Sequence, residues 1–67
     1  MNVQVYKRTN NVGFSLKTIL NEIEQIRDEA VSQSKKHPEE VSTVKALNFV
    51  SKNVSSAVRV LEDLLGY

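Results

Sequence analysis

Residues 41 to 65 constrain this chain more than any other stretch. With residues placed at roughly 100° apart, Leu47, Val50, Val54, Val58, Leu61 and Leu65 fall within about 40° of one line. That stripe suits a helix packed on one neighbour. A second apolar set, Ala46, Phe49, Ala57, Val60 and Leu64, lies beside it and widens the apolar arc to roughly 180°. One neighbouring helix cannot cover half a cylinder. The segment therefore calls for a second contact, and so short a chain leaves another polypeptide as the expected source.

Size strengthens that expectation. Sixty-seven residues make one domain. A chain of this length buries only about 60% of its unfolded surface and is marginal alone. Disulfides and thiolate metal sites are excluded because there is no Cys, and a single His is too few for a His-based zinc site. Good helix packing and oligomerisation remain as the means of stabilisation. Nine Lys plus Arg stand against eight Asp plus Glu, a net charge of +1 that gives no general attraction to nucleic acid or membrane. The one basic bias is at the start, where Lys7 and Arg8 have no acidic neighbour up to residue 15. No apolar run approaches the ~20 residues needed to span a bilayer, and the first residues alternate polar and apolar instead of forming a secretion signal. The expected compartment is the cytoplasm.

Three segments follow from periodicity. Residues 1–14 read as an extended arm, a strand or small hairpin. Val3 and Val5 alternate with Asn2, Gln4 and Tyr6; Thr9-Asn10-Asn11 is a turn signal; Val12 and Phe14 flank Gly13. Ser15 is the expected N-cap of a first helix over residues 15–36. Its apolar face, roughly 140° wide, contains Leu16, Ile19, Leu20, Ile23, Ile26, Ala30 and Val31. His37-Pro38 breaks the chain, because the residue before a proline is pushed away from helical geometry. A second helix spans 38–65, with Pro38 at its first position, Glu39 and Glu40 at its positive pole, and Gly66 as the left-handed residue that ends it. At about 1.5 Å per residue the helices measure roughly 30 and 40 Å. The expected fold is mainly α: an antiparallel hairpin in which helix two overhangs helix one, an N-terminal β arm folded over the open end, and dimerisation into a four-helix assembly.

Catalytic chemistry finds little footing. Nucleophile–base pairs need a Ser or Cys beside a His, and the one His, His37, sits at the interhelix turn, where it reads as a solvent-exposed turn residue or makeshift N-cap. Glu22, Glu24, Asp28 and Glu29 lie among basic neighbours on a solvated helix face, not as a desolvated carboxylate pair. No phosphate-cradling or calcium loop is present. The sequence thus points to no catalytic residue, cofactor, metal or small-molecule substrate. Arg27 lies about 40° from the centre of helix one's apolar stripe. It either snorkels, its head reaching water or Glu24, or pairs with a partner across an interface. Phe49 and Val60, eleven residues apart, share a line with Ala46, Ala57 and Leu64. That line, together with Arg27, is the expected protein interface.

The arm offers an alternative. With Val3 and Val5 facing inward, Gln4, Tyr6 and Arg8 face outward beside Lys7, and two such strands paired across a dimer could enter a major groove. The order strand, helix, helix resembles the ribbon-helix-helix repressors and implies DNA as a partner. Two features depart from that pattern: a first helix of about 20 residues, and an acidic pair in the His37-Pro38-Glu39-Glu40 turn where phosphate would lie. The leading expectation is accordingly a small non-enzymatic adaptor or inhibitor. It would act through an apolar face of helix two as a homodimer, with a larger protein as a further target and a dimeric DNA-binding regulator as the alternative.

Overall fold

Asn2 sets where helix begins. Its backbone is extended and its side-chain Oδ1 accepts the Val5 N–H at 2.8 Å, satisfying one of the orphan donors of a helix start. From there a single helix, α1, runs over Val3–Ser34 in the computed structural model, which describes residues 1–67. The expected arm does not form: residues 3–14 are the first turns of α1, Thr9-Asn10-Asn11 is not a turn, and Ser15 is not a cap. The physical reason is packing on α2 along a line with a period of seven. Tyr6, Gly13, Leu20, Arg27 and Ser34 recur at that period, interleaved with Leu16, Ile23 and Ala30. Continuing the helix back to Tyr6 lays Asn10 and Gly13 against the far end of α2. Three Val in the first turns cost only about half a kcal/mol each in helix propensity.

Lys35–Glu39 forms the turn. Lys36 and His37 donate their N–H groups to the Gln33 carbonyl (3.0 and 2.8 Å), and Glu40 and Val41 donate to the carbonyls of His37 and Pro38 (2.9 and 3.1 Å). Pro38, which has no N–H to donate, sits in the turn rather than in the helix, and α2 spans Glu40–Leu65. Glu40 occupies its first turn, where the helix dipole favours a carboxylate. Gly66 ends α2 at φ 86°, as expected. The Tyr67 and Gly66 N–H groups donate back to the Glu62 and Asp63 carbonyls at 3.0 and 3.3 Å, a Schellman closure. Gly66→Ala is expected to destabilise the protein by about 1 kcal/mol, the cost of forcing an L side chain into left-handed backbone. Thermal unfolding followed by circular dichroism checks it.

The two helices pack as an antiparallel hairpin 52 Å long and 14 Å across. Register is fixed at the open end, where the Tyr67 hydroxyl donates to Asn10 Oδ1 and Lys17 Nζ lies 3.5 Å from Glu62 Oε1. Counting from these contacts, Gly13 stands level with Leu65, Leu20 with Val58, Ile23 with Val54, Arg27 with Ser51, and Ala30 with Leu47. The α2 residues in this seam are themselves spaced alternately by three and four, the pattern of a two-stranded coiled coil. With Gly13 level with Leu65, α1 overhangs α2 by nearly three turns at the N-terminal end, the reverse of the expected overhang.

Candidate interaction surface

The seam accounts for only part of the apolar surface. Of the first helix's expected face, Leu16, Leu20, Ile23 and Ala30 turn towards α2, whereas Ile19, Ile26 and Val31 remain exposed. Of α2's expected stripe, Leu47, Val54, Val58, Leu61 and Leu65 lie in the seam and Val50 does not. Ala30 and Val58 are the only buried apolar side chains in the molecule, and each still keeps 6% of its surface.

Each proposed interface residue of α2 is exposed. Phe49, Val60 and Leu64 keep 68%, 65% and 58% of their surface, and Ala46 and Ala57 also face solvent. They do not form one line. Phe49 points directly away from α1, Ala46 and Val60 stand on the flank, and Ala57 and Leu64 lie on the edge beside α1. The N-terminal arm, expected to cover Leu64, continues α1 past the end of α2 instead.

The hairpin has two unlike edges. One is polar: Lys17 and Glu62 pair across it, and Lys17 Nζ also sits 5.9 Å from the Phe14 ring centroid. The opposite edge is apolar on both helices. Val5, Val12, Ile19 and Ile26 repeat every seven residues along α1, and Val50, Ala57 and Leu64 do so along α2. Val12 stands level with Leu64, Ile19 with Ala57, and Ile26 with Val50. All seven face solvent. The α1 half of this edge is absent from the sequence-based expectation, although the period of seven was visible. It was obscured because residues up to 14 read as a strand and because Ile19 and Ile26 sit inside a face wide enough to be taken as one contact.

Arg27 is not part of the exposed apolar surface. It occupies the seam level with Ser51, half-buried, and its guanidinium reaches Asp28 Oδ1 at 3.3 Å rather than Glu24. Its stem covers apolar surface while its head reaches the rim. Gln4, Tyr6 and Arg8, expected on one outward strand face beside Lys7, are instead distributed with it round the first turns of α1. A paired-strand ribbon cannot be built from residues in this conformation.

The remaining ionisable groups form no concentrated site. His37 Nδ1 lies 3.3 Å from Glu39 Oε1 on the exposed turn. The Tyr67 phenol is held above the usual tyrosine range by desolvation first, then by a hydrogen bond and charge repulsion involving Tyr6 and by the nearby Glu62 carboxylate. No group of three or more His, Asp or Glu side chains comes together, and no helix is long and apolar enough to cross a membrane. No family model, curated protein or solved structure matches the chain.

Proposed function

We infer that this protein is a small non-enzymatic binding module that acts by association, as a homodimer able to dock on a larger protein through the outer apolar face of α2. The observation that carries this reading is the exposure of Phe49 and Val60 on a regular helix. A large aromatic ring held out on a rigid scaffold costs little conformational entropy to bury in a partner's pocket, and buried aromatic anchors dominate interface energetics. An apolar surface of this extent on so small a hairpin is characteristic of an interaction site. The geometry supplies recognition area and no preorganised chemistry, which suits an adaptor or inhibitor.

Phe49→Asp tests the reading. The tagged full chain and the variant are compared for the proteins they retain from a native extract, with Lys52→Asp as a charge control on the same helix. A protein retained by the parent chain and the control but lost, by roughly tenfold or more, with Phe49→Asp supports a target-binding face. Retention unchanged by Phe49→Asp overturns it.

A further inference from the structure

The hairpin exposes too much surface for its mass. A compact monomer of 7.6 kDa presents about 4,300 Å², whereas this chain presents 5142 Å². The surplus of roughly 850 Å² matches the about 800 Å² that each partner buries in a standard interface. The radius of gyration says the same: 15.3 Å against about 11 Å for a compact domain of this length.

We propose that the apolar edge formed by Val12, Ile19 and Ile26 of α1 with Val50, Ala57 and Leu64 of α2 docks a second copy of this chain, giving an antiparallel four-helix bundle with its twofold axis at the level of Ile19 and Ala57. The proposal rests on the homodimer reading above and assigns that dimer its contact. A helix in a four-helix bundle needs an apolar arc that includes one flank of the seam as well as the seam itself. Both helices have that arc, on the same edge of the hairpin. The seam positions nearest this edge are apolar through the middle of the hairpin (Leu16, Ile23 and Ala30 on α1; Leu47, Val54 and Leu61 on α2), with the polar Thr9 and Glu40 only at the two ends of these lines. The polar seam residues Arg27, Ser34 and Ser51 belong to the line nearer the opposite, polar edge. The apolar centre of gravity thus lies off the hairpin's own axis, towards the open edge.

Three features specify a second copy and this axis. First, α1 spans Val3–Ser34, so a twofold at Ile19 pairs it with its copy over nearly its whole length. The overhanging first turns, which have nothing to pack on within one hairpin, then lie along the copy's α1. Secondly, Ala57, the small residue of the α2 stripe, falls on the axis, where two backbones approach most closely, and Val50 meets Leu64 of the copy. Thirdly, the α1 residues flanking the stripe are Arg8, Ser15, Glu22 and Glu29. About this axis Arg8 comes level with Glu29 of the copy, opposite charges on the bundle rim.

The absence of native Cys makes the test clean. Purified full-length chain is expected to scatter light as a particle of twice 7.6 kDa. Ala57→Cys, on the axis, is expected to form a disulfide-linked dimer under mild oxidation. Val12→Cys alone is not, yet Val12→Cys mixed with Ile26→Cys is. Ile19→Asp is expected to weaken self-association by roughly a hundredfold or more, as for a charge desolvated at an interface centre, whereas Phe49→Asp leaves the mass doubled. A mass of 7.6 kDa at every accessible concentration overturns the proposal. So does a dimer disrupted by Phe49→Asp but not by Ile19→Asp, or a dimer without the Ala57→Cys crosslink. Where Ile19→Asp fails to fold, the crosslinking pattern of the Cys variants decides alone. These measurements use only the purified chain, so they can fail while the target-binding reading stands, and the reverse.

Discussion

Val58→Asp is expected to abolish most of the far-ultraviolet circular dichroism of the protein at room temperature, while Phe49→Asp on the same helix preserves it. Val58 retains only 6% of its surface, against 68% for Phe49. Losing a buried Val side chain forfeits about 1.5–3 kcal/mol of apolar burial. The carboxylate that replaces it is taken out of water beside Leu20, and that desolvation costs several kcal/mol more. A domain of this length has about 3–10 kcal/mol of total stability. The sum consumes most or all of it. A marginal hairpin has no second core to fall back on, since Ala30 is the only other buried apolar side chain. Near-parental helicity in Val58→Asp would mean that the two helices do not pack along this seam.

The same contrast explains what could be read from the sequence. In α2 the apolar residues are dense enough that their spacing alone gives the helix, its seam and its Gly66 stop. The His37-Pro38 turn is legible because proline restricts its neighbour whatever the tertiary context. The start of α1 was not legible for the opposite reason. Its seam positions there are Tyr6, Thr9 and Gly13, which carry almost no hydropathy signal. Val3 and Val5 alternate with polar residues as in a strand, and Asn10-Asn11 imitates a turn. Only the Asn2 cap and the packing of residues 10 and 13 against the end of α2 decide for helix, and the second of these is a tertiary effect. The candidate surface was half legible. Phe49, Val60 and Leu64 stand exposed where the wide arc of α2 placed them. The α1 half was hidden because a broad apolar face does not state how much of itself one neighbour will take.

Gly13 offers the sharpest test of that tertiary effect, because the sign of the outcome depends on side-chain size. Gly13→Ala is expected to stabilise the protein by about 1–2 kcal/mol. Glycine in a helix interior is about 1 kcal/mol less favourable than alanine, and the added methyl gains about 0.8 kcal/mol if removed from water. Gly13 is buried, yet a Cβ built on it meets nothing within 4 Å. Gly13 lines a cavity of about 10 Å³ together with Asn10, Leu61, Leu65 and Tyr67. For a domain of this size the gain corresponds to a rise of roughly 5–15 °C in Tm. Gly13→Leu should do the reverse. The cavity cannot hold a branched side chain, so the helices must separate or Leu65 must leave its rotamer, at about 1–3 kcal/mol. If the segment before Ser15 were an independent arm, neither substitution would move the melting of the hairpin in this ordered way. A thermal series over Gly, Ala and Leu at residue 13 therefore reports whether α1 is one continuous helix packed as far as Tyr67. An unchanged Tm across the series would show that residue 13 does not pack on α2.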